Sequence, residues 1–188
     1  IHESHPLDPL TPYGASKLCM EKQCLAYAAT HGMEAVALRY FNVYGPNQRF
    51  DAYGNVIPIF VFNALQGRPI TIFGDGMQTR DFVNVADVVQ ANIKAAMAPG
   101  VSGAFNIASA TQTRIIDLAD AIRGGLGVPV EIQFGPHRAG DVEHSLSDIQ
   151  AACAAFGYRP HVSMDLGLPE YLAWAEAEAQ RIRTAEGN

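Results

Sequence analysis

The run from Glu34 to Tyr44, E-A-V-A-L-R-Y-F-N-V-Y, constrains the fold more than any other stretch of the chain. It is almost continuously apolar at its start, rich in strand-favouring residues, and stops at Gly45-Pro46. A strand apolar on successive residues needs cover on both faces, as in a parallel sheet flanked by helices. The sequence supplies helices on either side. After a loop over residues 1–10, Thr11-Pro12 opens one, with the Thr hydroxyl as N-cap and Pro where its missing N–H costs nothing, and Gly32 closes it. Val56 to Gln66 fits a second, stopped by Gly67, and about Asp87 to Met97 a third, with Val88, Val89, Asn92 and Ala96 at helical spacing. Ile115, Leu118, Ala119 and Ile122 define a fourth, ended by Gly124-Gly125. Asp148 to Phe156 and a stretch from about Ser163, with Leu168, Tyr171, Leu172 and Ala175 in one stripe, give two more. The short runs I-T-I-F, A-F-N-I-A and V-E-I-Q-F alternate with these helices as strands, and the class is α/β.

With 188 residues, 48% apolar and 17% charged, the chain has a globular composition and enough length for a sizeable core. Its net charge of −6 offers no general field for nucleic acid or acidic lipid, so an anionic ligand must be held by a few placed cations. Cys19, Cys24 and Cys153 form no C-x-x-C pair, which points to reduced, cytoplasmic thiols. The six histidines have no metal-ligand spacing, and no metal is expected. No apolar stretch approaches the ~20 residues needed to cross a bilayer. No G-x-G-x-x-G turn follows a strand, and Gly124-Gly125-Leu126-Gly127 ends a helix instead of opening one. With no initiator Met and no leader pattern at Ile1, the expectation is that a segment upstream is missing.

Tyr13 and Lys17 stand at i and i+4, which stacks phenol and ammonium on one helix face. A nearby cation favours phenolate and draws a tyrosine from its reference pKa of about 10 towards the working range of a general base. The pattern equally suits a surface Tyr and Lys on an amphipathic helix, and the spacing by itself leaves both readings open.

Four runs stand in order along the chain: P-L-T-P-Y-G-A-S-K-L, L-R-Y-F-N-V-Y-G-P, G-D-G-M-Q-T-R-D-F-V-N-V-A-D-V-V and R-A-G-D-V-E-H-S. Together they resemble the second half of the extended short-chain dehydrogenase/reductase family of nucleotide-sugar epimerases and dehydratases. The last run is closest to UDP-glucose and UDP-N-acetylglucosamine 4-epimerases. The resemblance implies the C-terminal part of a Rossmann-like doubly wound parallel sheet plus a small α/β substrate-binding domain. Residues 1–54 would belong to the NAD-binding domain and 55–188 mainly to the substrate region, with about 81–98 returning to the former.

By the same resemblance the cofactor is NAD, Tyr13 is the catalytic acid/base, and Lys17 holds the cofactor ribose. Tyr40 and Phe41 would pass the nicotinamide, and Asn42 would donate to the substrate diphosphate. Core packing for Phe41 and a turn-forming role for Asn42 are the alternatives. Arg80 and Arg138 would neutralise the diphosphate, since a guanidinium matches phosphate oxygens. Asp141 would accept from the uridine ribose, while Asp81 is expected to be structural. Val56, Phe60, Thr71, Ile72, Phe73 and Ile115 would line the nucleotide pocket, Phe60 stacking on uracil, with core packing the alternative for the aliphatic members. Ser145 would border the 2-substituent of the hexose and, being small, leave room for an N-acetyl group. The family's upstream Ser or Thr and its glycine fingerprint would lie before Ile1. The implied partner is a UDP-hexose or UDP-N-acetylhexosamine. A homodimer is implied through the helix of Tyr13 and Lys17, with 56–66 also apolar. A 4,6-dehydratase or decarboxylase, and a non-catalytic substrate-binding fragment, are the competing readings.

Overall fold

The computed structural model describes residues 1–48, 50, 55–138 and 142–186. Helix α1 (Pro12–Thr30) begins as its sequence dictates: Thr11 is extended and its hydroxyl accepts the Gly14 N–H at 3.1 Å. The apolar run that follows is not one strand but two. Strand β1 (Val36–Tyr40) pairs in parallel with β6 (Gly103–Ile107), whereas β2 (Asn42–Tyr44) pairs in parallel with β5 (Phe82–Asn84). The break falls at Phe41, whose N–H still donates to Ile107 O while the next N–H, of Asn42, donates to Asp81 O. Period-based reading cannot detect a change of partner, because both halves remain extended and apolar.

Helix α2 (Val56–Leu65) leads to β3 (Ile70–Phe73), which pairs in parallel with β8 (Ile132–Gly135). The short strands β4 (Thr79–Arg80) and β7 (Thr113–Arg114) pair antiparallel. Helix α3 (Val85–Ala96) starts two residues before the expected Asp87, because Asn84 caps it by accepting the Ala86 N–H at 2.9 Å. Its inward face is Val88, Ala91 and Ala95, and Val89 points to solvent instead.

Helix α4 (Ile115–Leu126) runs through Gly124-Gly125, where an end was expected, and stops at Gly127, which takes φ +62°. A helical glycine costs only about 1 kcal/mol against alanine, and the buried stripe Ile115, Leu118, Ala119 and Ile122 outweighs that. The chain closes with α5 (Gln150–Phe156) and α6 (Met164–Glu186), whose Leu168, Tyr171, Leu172 and Ala175 are all buried.

Two apolar clusters result. The larger is built from α2, α4, α6 and β3 with Tyr44 and Phe82; the smaller joins Val83, Val88, Ala91, Ile107, Ile149, Ala152 and Tyr158, with Leu38 and Phe41 packed against it. Helix α2 buries Ile57, Pro58, Phe60, Val61, Phe62 and Ala64, so its apolar sequence is explained by the core and not by a subunit interface. Among the described residues no helix is long and apolar enough to cross a membrane.

Candidate active site

Beside β1 runs a cleft of about 1000 Å³, lined by every residue from Ala35 to Val43, by Tyr13 and Lys17 of α1, and by Asn55. Strand β1 has a single strand partner, β6, among the described residues. The cap on Thr11 places Tyr13 in the first turn of α1, and the absence of a side chain at Gly14 lets the loop cross it. A Cβ there would stand 3.0 Å from Pro9 Cβ. Tyr13 is 72% exposed, and Lys17 Nζ lies 5.4 Å from the centroid of its ring. The i, i+4 spacing thus brings ammonium and phenol together at the mouth of the cleft.

One feature that sequence reasoning passed over fixes this helix. Arg39 lies on β1, one residue before its end, and its Nε and Nη2 donate to the two carboxylate oxygens of Glu21 on α1, at 2.7 and 2.8 Å, while its Nη1 donates to Glu3 O at 2.9 Å. The pair is part-buried, and the Arg39 hydrogen bond holds the Glu21 carboxyl below its usual range. The signal was present: an arginine inside an otherwise apolar strand requires a counter-charge.

Tyr40 is half exposed and donates its hydroxyl to Asn92 Oδ1 at 2.9 Å. Phe41 packs against the smaller cluster and also lines the cleft, so its two expected roles coexist. Asn42 lines the cleft too, and its side-chain amide donates to Asp81 O at 2.9 Å.

The remaining candidates divide. On β3, Ile70 and Ile72 point into the core while Thr71 and Phe73 lie half-buried on the other face. The Arg138 guanidinium sits 3.7 Å from the centroid of the Phe73 ring. Arg80 is part-buried on β4, where its Nη1 donates to Thr79 O at 2.9 Å. Ser145 is buried beside it: its N–H donates to the same Thr79 carbonyl at 3.1 Å, and Thr79 bridges to His144. Phe60, Ile72 and Ile115 belong to the main core, with Val56 packed against it. Phe60 is only 3% exposed and packs in that core, as the aromatic of an apolar helix can. Asp141 lies outside the described residues. Asp81 is enclosed and bonded on several sides, and burial pushes its carboxyl up from the usual range. Among the described residues no group of three His, Cys, Asp or Glu side chains could hold a metal ion.

Parallel strand pairs thus lie among helices, with the Tyr-x-x-x-Lys helix lining a cleft along β1. The chain belongs to the NAD-dependent epimerase/dehydratase family, whose sequence profile matches residues 1–108. It is 34% identical, over 178 residues, to the UDP-glucose 4-epimerase of Mycolicibacterium smegmatis, covering 95% of this chain and 57% of that protein. The crystal structure of the Thermotoga maritima UDP-glucose 4-epimerase with UDP-glucose superposes with a TM-score of 0.89 at 34% identity, over 95% of this chain and 58% of that one. The UDP-N-acetylglucosamine 4-epimerase of Methanobrevibacter ruminantium, in complex with UDP-N-acetylmuramic acid, gives 0.89 at 33% identity, over 95% and 57%. The neighbours confirm a Rossmann-like α/β fold. The chain therefore spans a little over half the length of the relatives it matches.

Proposed function

We propose that the enzyme carrying this chain is an NAD-dependent UDP-sugar 4-epimerase acting on UDP-N-acetylhexosamines, UDP-hexoses or both. The observation that carries the reading is the convergence of Tyr13, Lys17, Tyr40, Phe41 and Asn42 on one cleft, from three separate elements. The residues present fit one end of NAD: Tyr13 and Lys17 suit the nicotinamide ribose, and Tyr40 and Phe41 the ring. Among the described residues, the two strand-to-helix junctions with no loop between, Asn84-Val85 and Arg114-Ile115, carry no glycine that would let a phosphate approach the backbone. NAD, when bound, supplies hydride acceptance and return at C4 of the sugar.

Tyr13 takes the proton of the 4-hydroxyl at its phenolic oxygen and later gives it back. Lys17 keeps a positive charge beside that oxygen. Asn42, Arg80 and Arg138 hold the diphosphate, with Asp141 on the uridine ribose, Thr71 and Phe73 on the nucleotide and Ser145 on the sugar. The smaller cluster joins Val83, Val88 and Ala91 to Leu38 and Phe41 but also extends over Ile107, Ile149 and Tyr158, and the division into 1–54 and 55–188, with 81–98 returning, is part of this reading. So are a cytoplasmic location and a homodimer through the exposed face of α1. By itself this chain is expected neither to bind NAD nor to turn over, and titration calorimetry with NAD showing stoichiometric binding would refute that.

The decisive assay is proton NMR of UDP-N-acetylglucosamine and UDP-glucose incubated with the NAD-loaded enzyme. Inversion at C4 with no net gain of NADH is expected. A 4-keto-6-deoxy product would replace the epimerase reading with a 4,6-dehydratase.

A further inference from the structure

Asp81, between β4 and β5, has no exposed surface. An enclosed carboxylate is costly unless its oxygens are met by donors, and here they are met from separate parts of the chain. Oδ1 accepts both the N–H and the hydroxyl of Ser109, just beyond β6, at 2.9 and 2.7 Å. Oδ2 accepts the N–H of Ser147 at 3.1 Å, two residues past Ser145. The carbonyl oxygen of the same residue accepts both the N–H of Asn42, at 3.3 Å, and its side-chain amide, at 2.9 Å. The 145–147 segment is further tied to the neighbouring strand through Ser145 N–H and Thr79 O.

One residue is therefore bonded to both arms of the candidate substrate site, Asn42 through its main chain and the Ser145–Ser147 segment through its side chain. We propose that Asp81 is a positioning residue that fixes where the sugar-side segment stands relative to Asn42, and so sets how the hexose is held; this rests on the UDP-sugar reading above. The two attachments use different atoms and are separable by substitution. Asp81→Asn keeps an acceptor for Ser109 and leaves the main-chain carbonyl to Asn42, but it turns an N–H₂ towards the Ser147 N–H. Donor then faces donor, and the sugar-side segment loses its anchor while the phosphate side keeps its own.

The test compares ligands with and without the sugar on the NAD-loaded enzyme. In Asp81→Asn the affinity for UDP-N-acetylglucosamine by calorimetry, and its 1/KM, are expected to fall roughly tenfold or more, with kcat and the affinity for UDP within about twofold. A merely structural role would lower Tm, UDP affinity and kcat together, and that result overturns the proposal, as does an unchanged preference between UDP and the UDP-sugar. If Asp81→Asn does not fold, Ser109→Ala loosens the same carboxylate from its other side. The same pattern at about threefold is then expected, and its absence overturns the proposal. Should the parent enzyme bind the UDP-sugar without inverting C4, the epimerase reading falls while the binding comparison still decides the role of Asp81.

Discussion

Arg39 of β1 grips Glu21 of α1 with two parallel hydrogen bonds, and through them the helix that carries Tyr13 and Lys17 is locked to the strand that lines the cleft. Glu21→Gln leaves the part-buried Arg39 with one acceptor in place of two and no counter-charge, and a loss of about 1.5–3 kcal/mol is expected. The sign with pH follows from the lowered Glu21 pKa. Its contribution is present above the unfolded carboxyl value of about 4.5 and is lost as pH falls through the lower folded value. Urea unfolding at pH 7 should separate the two proteins, and at pH 3 the gap should shrink; an equal gap at both would rule out this pair as the cause.

Tyr13→Phe keeps the ring and deletes the hydroxyl. In the NAD-loaded enzyme, turnover is expected to fall at least ~100-fold, the scale of a general acid/base, while substrate affinity barely changes. Near-normal kcat across the pH range would remove Tyr13 from the chemistry.

Ser145 is buried next to Arg80 and Thr79, and its side chain is small. Ser145→Tyr is expected to act by steric exclusion, lowering kcat/KM for UDP-N-acetylglucosamine far more than for UDP-glucose. Both values must be read alongside Tm. A fall in both in proportion, with a lower Tm, would mean the residue serves packing alone.

Gly167 and Gly124 are both helical glycines, yet alanine is expected to act on them with opposite sign. A methyl at Gly167 would fall on the hydroxyl of Tyr44 and the amide of Asn84, both buried, and overpacking of this kind costs about 1–3 kcal/mol. Nothing stands within 4 Å of a methyl at Gly124, so the helical preference alone acts there and adds roughly 0.5–1 kcal/mol. Thermal unfolding of the two variants measures the difference directly.

The helices were legible because their caps and stripes are local. Thr11-Pro12 and the Ile115–Ile122 stripe specify structure within a few residues. What escaped were the long-range partnerships. Nothing around Phe41 announces that the strand changes partner, since the new one, β5, arrives some forty residues later. The Tyr13–Lys17 pair was readable from spacing, but Phe60 was not: an aromatic in an apolar helix looks the same whether it faces a ligand or, as here, is buried in the core. Asp81 read as structural from sequence. Its ties to Ser109 and Ser147 depend on loops whose meeting no pattern encodes.

The strand break at Phe41 also has a mechanical side. Two consecutive amides are fastened to different sheets, Phe41 N–H to Ile107 O and Asn42 N–H to Asp81 O. The peptide unit joining these residues is planar and holds their Cα atoms about 3.8 Å apart. With no flexible linker at this point, β1 and β2 cannot slide past one another without breaking hydrogen bonds. The chain thereby carries a built-in ruler. Adapting such an enzyme to a longer or shorter ligand would have to be done in the loops beyond it, leaving the ruler itself untouched.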